Sequence, residues 1–480
     1  SLSEREMRYY RGKKIAIIFQ EPMTSLNPVL TILEQLSEVI KNKKYSKGEI
    51  RAESISLLNT VDIKNPEKRI DDYPHQFSGG QKQRIMIAMA IASKPELLIA
   101  DEPTTALDVT VQAQILKLLQ KITQEMGMAM LLISHDLSIV KQVSHHIGVM
   151  YAGQLVECSP AKLFFDNPKH PYSKRLLNCI PSLGKRGYQL SPILGCIPNL
   201  ELINKGCRFS ERCEFSNKDC LKPLVLTGEN SHKVACINYH MGKKLLLSND
   251  NIPRDPAFSG EKTEVLSVSK LKIHYPIYKG LFKREIDTVK AVDEVSFSLF
   301  KGETLALVGE SGSGKTTLSR GICQLLPITS GEVSIGGKLI QGYSRALTSQ
   351  LQIIFQDPFS SMNPRMLVND ILQEGIYAQK KAHSTTESDL AVKNLLELVG
   401  LPQRSAQCYP HEFSGGQRQR ISIARALAVK PSIIICDEPT SALDVSIQAQ
   451  ILNLLLDLQS ELGLSYLFIS HDLSVVSYMS

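Results

Sequence analysis

The sequence predicts an α/β protein made of two copies of one domain. Each copy is a parallel-sheet core with an attached helical subdomain, and a small cysteine-containing extension joins the two. Three observations carry that prediction. Four blocks of sequence recur at one constant spacing. A glycine-rich loop follows a short apolar run and opens a helical pattern. Acidic pairs end two other short apolar runs, where a parallel strand would finish.

The repeat fixes the organisation. FQEP at Gln20 returns as FQDP at Gln356, and YPHQFSGGQKQR at Ser78 as YPHEFSGGQRQR at Ser414. ADEPTTALDV at Glu102 returns as CDEPTSALDV at Glu438, and ISHDLS at His135 recurs at His471. Each pair stands 336 residues apart. Solenoid units recur every few tens of residues, so one long offset means domain duplication. The predicted domains are 1–158, 159–262 and 263–480, with helical subdomains near 28–95 and 364–431. By the same offset, the first-copy counterpart of Lys315 falls before Ser1, and the last residue, Ser480, matches Ser144 in mid-pattern. The expectation is a chain clipped at both ends. A natural copy without the loop is the alternative, and it leaves the abrupt stop at Ser480 unexplained.

Composition bounds the classes. The 480 residues are 43% hydrophobic and 21% charged, as in globular chains. A net charge of +7 is mild for this length and gives little reason to expect a nucleic-acid partner. No apolar run approaches the roughly 20 residues that span a bilayer, and the first residues show no signal-peptide pattern. Ten cysteines, scattered singly except for one cluster, fit a reducing compartment better than a disulfide framework. The middle segment is rich in proline, glycine and cysteine and ends in SNDNIPRDPAFSGEK, which reads as an appended module and linker.

The chemistry lies in the motifs. GESGSGKT comprises Gly309, Glu310, Ser311, Gly312, Ser313, Gly314, Lys315 and Thr316, with Thr317 after it. It matches the phosphate-loop pattern, in a strand–loop–helix setting after TLALV. Glycines let backbone N–H groups approach phosphate oxygens, and the helix start adds positive potential. Lys315 would neutralise the β- and γ-phosphates, and the Thr316 hydroxyl would ligate Mg²⁺. Asp437 suits the Mg²⁺ shell through water, with Asp101 its first-copy match. Glu438, matched by Glu102, suits the base or orienter of an attacking water. Ser78, Gly79, Gly80 and Gln81, and again Ser414, Gly415, Gly416 and Gln417, open helical patterns as a second phosphate cradle. That cradle has no lysine and no metal acid, so it would complete a site held by another domain.

This order of motifs resembles the nucleotide-binding domains of ABC transporters, over nearly the whole chain. The resemblance implies that two such domains sandwich ATP between the phosphate loop of one and the signature of the other. It implies Q-loop roles for Gln20 and Gln356, with Gln356 also near Mg²⁺, and γ-phosphate contacts for His135 and His471. It further implies D-loop roles for Asp108 and Asp444, and adenine stacking for Tyr275 in KIHYPI. Only one composite site is complete within these residues, pairing 309–316 with the signature at 78–81. EPMTSLNP, DPFSSMNP, the YPH words, DVTVQAQIL and DVSIQAQIL resemble oligopeptide, dipeptide, nickel and glutathione importer ATPases. HPYSKRLL and GCRFSERC resemble the extension that follows the core in those proteins.

The resemblance therefore implies an ATPase driving peptide uptake. It would sit at the cytoplasmic face of the bacterial inner membrane, with two permease subunits and, indirectly, an extracytoplasmic solute-binding protein. Two rivals stand beside it. A tandem ATPase of translation or DNA repair would need a long arm or a charged helical linker, yet Lys315 and Ser414 are only 99 residues apart. A nucleotide-gated redox sensor would not need both Glu102 and Glu438. Cys207, Cys213, Cys220 and Cys236 include no C-x₂-C pair, which argues against a zinc ribbon. Four thiolates could hold an iron–sulfur cluster, as some relatives are thought to do, or could pack unligated; both readings stand at this point.

Overall fold

The computed structural model describes residues 2–480 except 22–24, 41–44, 106, 196–197, 199–204, 229–230, 241–251, 255–261, 280–283, 311, 341, 343, 379–384 and 442. The chain divides into two compact units. The first is Ser1–Gly148 with Cys158–Asn167 and Glu229–His232; the second is Val149–Glu157, Pro168–Gly228 and Lys233–Ser480. Most of the segment 159–262 thus falls in the second unit.

In the first unit, three strands pair in parallel in the order β1 (Ile15–Ile18), β2 (Leu97–Asp101), β3 (Ala129–Ile133). Helices Ile32–Ile40, Lys47–Thr60 and Gly79–Ile91 lie between β1 and β2 in sequence. Ile32, Leu36 and Ile40, four residues apart, bury one helical face. Ser46 and Glu49 close the start of Lys47–Thr60 with a capping box. The core unites these helices with Ile18, Leu98, Ala100, Ile115 and Leu119. Leu131 and Ile133 on β3 remain 51% and 44% exposed.

The middle of the chain contributes β4 (His146–Tyr151), β5 (Gln154–Pro160) and β6 (Lys233–Val234), in that order in one sheet. The nucleotide-type core follows. An antiparallel sheet, ordered β11-β10-β7-β8, comprises β7 (Glu264–Lys279), β8 (Arg284–Phe300), β10 (Ser330–Ile335) and β11 (Lys338–Leu339). A parallel sheet, ordered β12-β13-β14-β9, comprises β9 (Thr304–Leu307), β12 (Leu351–Ile354), β13 (Ile433–Asp437) and β14 (Ser465–Ile469). Every residue of β13 and β14 is buried, as expected of parallel strands covered on both faces. Leu467 and Ile469, the counterparts of Leu131 and Ile133, are fully buried in a core that includes Leu318 and Ile322 of the helix Lys315–Ile322.

The α/β expectation is met, with parallel strands and intervening helices in both copies. Because the four parallel strands of the second unit run the same way, the residues just beyond Leu307, Ile354, Asp437 and Ile469 emerge at one edge of the sheet. That edge is where ligands bind in open α/β sheets.

Candidate active site

The loop after β9 is shaped by glycine where no other residue fits. Gly314 has φ +92°, and a Cβ there would stand 2.1 Å from the Ala291 carbonyl oxygen. The Lys315 side chain is buried, and its ammonium donates to Gly309 O and Glu310 O, both at 2.7 Å, and to Ser313 Oγ at 3.4 Å. The loop thus wraps its own cation. Thr316, in the first turn of the helix, places its hydroxyl 3.3 Å from Asp437 Oδ1 at the end of β13. Burial, the largest influence, raises the Asp437 carboxyl above its usual range, with the neighbouring Glu438 adding to it. Ser311 lies outside the described residues.

Glu438 sits one residue beyond Asp437, with its backbone at φ +46° and its N–H bonded to Ile469 O. Its Oε2 accepts from Gln356 Nε2 at 2.8 Å, and its Oε1 faces His471 Nδ1 at 3.2 Å. Asp472 caps the following helix Leu473–Met479 and so fixes the turn that carries His471. The first copy builds the same trio. Gln20 Nε2 donates to Glu102 Oε2 at 2.7 Å, His135 Nδ1 stands 3.0 Å from Glu102 Oε1, and Glu102 has φ +44°. A glutamate in the left-handed region costs on the order of 1–2 kcal/mol. The same strain twice, at the end of equivalent strands, marks this backbone as held for function.

The pair Glu438–His471 has a defined electrostatic sense. The bond from His471, more than any other influence, holds the Glu438 carboxyl below its usual value; the same bond chiefly holds His471 above its own. Glu438's stabilising contribution is present above the ordinary glutamate pKa and lost as pH falls through its lowered value. That of His471 is complete below the ordinary histidine pKa and lost as pH rises through its raised value. Glu438→Gln should therefore move the His471 titration midpoint down, as read by imidazole NMR shifts. An unmoved midpoint would refute the pairing. At Glu102, burial is the largest influence and raises the carboxyl, but bonds from His135, Thr105 and Gln20 together outweigh it and leave the value lowered.

Both signatures start helices through capping boxes. The Ser78 hydroxyl accepts from Gln81 N at 3.4 Å while Gln81 Oε1 accepts from Ser78 N at 3.0 Å; Ser414 and Gln417 do the same at 3.5 and 3.0 Å. A Cβ on Gly79 or Gly415 would meet Leu107 or Leu443 at ordinary contact distance, whereas one on Gly80 or Gly416 would press within 2.6 and 2.4 Å of Val111 and Ile447. The second glycine of each signature is therefore also a packing residue, which sequence reading missed. Asp108 and Asp444 begin the helices Val109–Met126 and Val445–Leu462. Tyr275 lies on β7 opposite Val289 and is 39% exposed. The Thr105 hydroxyl, 2.9 Å from Glu102 Oε2, was also missed; TT in DEPTT was its signal.

The extension's cysteines are reported by their surroundings. Cys207, Cys213, Cys220 and Cys236 are free thiols. Burial pushes Cys207 up to about 11 and Cys213 up to about 12, and raises Cys236. Among the described residues no group of three or more His, Cys, Asp or Glu side chains is placed to hold a metal. The four lie near enough to one another for their charges to interact.

With a phosphate loop, a strand-end acid pair, two Gln–Glu–His trios and two signature helices in place, the class is defined: the chain belongs to the ABC transporter ATP-binding family and is an ATPase. The ABC transporter family profile matches residues 1–105 and 292–441, and the profile of the oligopeptide/dipeptide transporter C-terminal region matches residues 156–220. The oligopeptide transport ATP-binding protein OppD of Mycobacterium tuberculosis is 42% identical over 492 residues, covering 100% of this chain and 80% of that protein. The peptidoglycan transport ATP-binding protein YejF of Agrobacterium fabrum is 42% identical, covering 100% of this chain and 76% of its own length. The glutathione import ATP-binding protein GsiA of Salmonella typhimurium is 43% identical, covering 100% of this chain and 70% of its own.

Proposed function

We propose that this chain hydrolyses ATP to drive the import of peptides through a membrane permease. The observation that carries the reading is the Gln–Glu–His trio built identically in both copies at the strand ends, joined in the second copy to Lys315, Thr316 and Asp437. Lys315 and the backbone N–H groups of 309–316 would hold the β- and γ-phosphates. Thr316, Asp437 and Gln356 offer hard oxygen donors suited to Mg²⁺, which would neutralise charge building on the phosphate oxygens; Asp101 is the equivalent acid of the first copy. Glu438 would orient the attacking water and accept its proton, while His471 and Gln356 hold that carboxylate in place. Tyr275 would stack on adenine, and the signature serines and glycines would contact phosphate.

Peptide cargo is supported by the OppD, YejF and GsiA relatives and by the matched oligopeptide/dipeptide C-terminal region. The same relatives favour transport over the translation, repair and redox-sensor readings. Two permease subunits and an extracytoplasmic binding protein would complete the machine at the cytoplasmic face of the inner membrane. Among the described residues no helix is long and apolar enough to cross a membrane. The iron–sulfur cluster left open by the sequence is not part of the proposal. The test is uptake of labelled di- and oligopeptides and glutathione by cells lacking the parent gene. Restored ATP-dependent uptake on complementation supports the import reading, and uptake equal with and without the gene overturns it.

A further inference from the structure

The second copy carries a set of contacts on the helix Val445–Leu462 that follows Asp444, centred on a residue that differs between the copies. Asn453, buried near the middle of that helix, accepts from Leu190 N at 3.1 Å and donates to Leu190 O at 2.8 Å. Its Oδ1 also accepts from Arg254 Nη2 at 3.0 Å and from the Tyr478 hydroxyl at 3.1 Å. One to two turns nearer Asp444, Ser446 Oγ accepts from Ile193 N at 3.1 Å, and Gln450 Nε2 donates to Ile193 O at 3.2 Å. The extension fixes the other edge of this segment. Arg212 donates from Nε to Leu194 O at 2.7 Å and from Nη2 to Ile193 O at 2.8 Å. Residues 188–194 therefore run as a strap along the helix, gripped from both sides by side chains that read its backbone.

The first copy's helix is not built to receive such a strap. The counterparts of Asn453 and Asp457 are Lys117 and Lys121. Lys117 is exposed, and Lys121 stands 4.0 Å from Glu125. The loops at the two helix starts are otherwise alike. Gln112 N and Gln448 N each bond the aspartate carbonyl at 2.8 Å, and Gln112 Nε2 and Gln448 Nε2 each lie 3.4 Å from the threonine hydroxyl at 104 or 440. They differ at the carboxylate. Asp108 Oδ1 accepts from Val111 N at 2.9 Å, the ordinary capping bond, whereas Asp444 makes no side-chain capping bond. An uncapped aspartate gives up a contact that ordinarily stabilises a helix start.

We propose that the strap 188–194 positions the second copy's D-loop, holding the first turns of its helix so that the Asp444 carboxylate is presented outward instead of folded back onto its own helix. The two copies are thereby made unequal, with the extension acting on one D-loop alone. Ser446, Gln450, Asn453 and Arg212 are positioning residues, and the inference rests on the reading of Asp444 as a nucleotide-site residue. A misplacement of about 1 Å at a site can cost up to about a hundredfold in rate.

The test uses the protein as it occurs in the cell. Asn453→Lys installs the first copy's residue, and Ser446→Ala removes one strap bond without adding bulk, should the lysine variant fail to fold. Both should speed hydrogen exchange at the Leu190 and Ile193 amides about tenfold and lower kcat for ATP about tenfold, with KM unchanged. Asn453→Asp keeps the acceptor for Arg254 and Tyr478 but sets a carboxylate against Leu190 O, so it should behave like the lysine variant, and Lys117→Asn should change neither. Faster exchange with unaltered kcat would overturn the proposal, as would a loss that is read in KM instead of kcat. A wild-type chain without ATP hydrolysis would instead overturn the nucleotide reading beneath it.

Discussion

Glu438→Gln should lower steady-state ATP hydrolysis by about 10²–10⁴-fold while leaving ATP binding intact. The substitution is isosteric at a site whose contacts it can largely reproduce. The new amide oxygen can accept from Gln356 Nε2, which lies 2.8 Å from Glu438 Oε2, and its NH₂ can face His471 Nδ1, now at 3.2 Å from Oε1, once that imidazole is neutral. What disappears is the carboxylate able to take a proton from water. Single-turnover kinetics with radiolabelled ATP, alongside equilibrium binding, check this. Retained binding with trapped, uncleaved ATP is the expected result, and hydrolysis at the parent rate would remove Glu438 from the proposed role.

Lys315→Ala should fail earlier, at binding. The ammonium is buried and spends its three donors on Gly309 O, Glu310 O and Ser313 Oγ. Those contacts hold the loop in readiness, and phosphate oxygens are stronger acceptors that would draw the same donors outward. Removing the lysine deletes both the loop's internal clamp and the only side-chain cation within the motif. A loss of about 10²–10³-fold in kcat/KM, or about 3–4 kcal/mol, matches the removal of one preorganised donor from developing charge. The measurement is ATP affinity by fluorescence titration with kcat/KM beside it. Affinity within twofold of the parent would contradict the placement of Lys315 against the phosphates.

The sequence was most informative where chemistry demands particular residues at short spacing. The phosphate loop, the acid pairs and the capping-box signatures are each local, and a constant offset between copies made the acid pairs and the signatures doubly visible. Distances between motifs far apart in sequence were not legible residue by residue; parallel pairing brings Gln356, Glu438 and His471 together, and only the resemblance had named them as one set. The left-handed backbone at Glu102 and Glu438 was hidden because no sequence preference marks a glutamate held there against its own inclination. The strap was hidden for another reason. Its partners, Leu190 and Asn453, are 263 residues apart, and it is a backbone of varied side chains read by polar groups. A signal did exist: Asn453 interrupts the apolar stripe of its helix with a neutral polar residue where the first copy has a surface lysine. The cysteines carry a suggestive count of four thiols, while among the described residues no group of three or more His, Cys, Asp or Glu is placed to hold a metal.

The difference at positions 117 and 453 bears on whether the two helices are interchangeable. Exchange of the second helix for the first would deliver a lysine into a buried slot that already receives the Arg254 guanidinium, placing two cations where one amide now serves three donors. Residues 117 and 453 therefore cannot be interchanged without disrupting the contact that distinguishes the two helices.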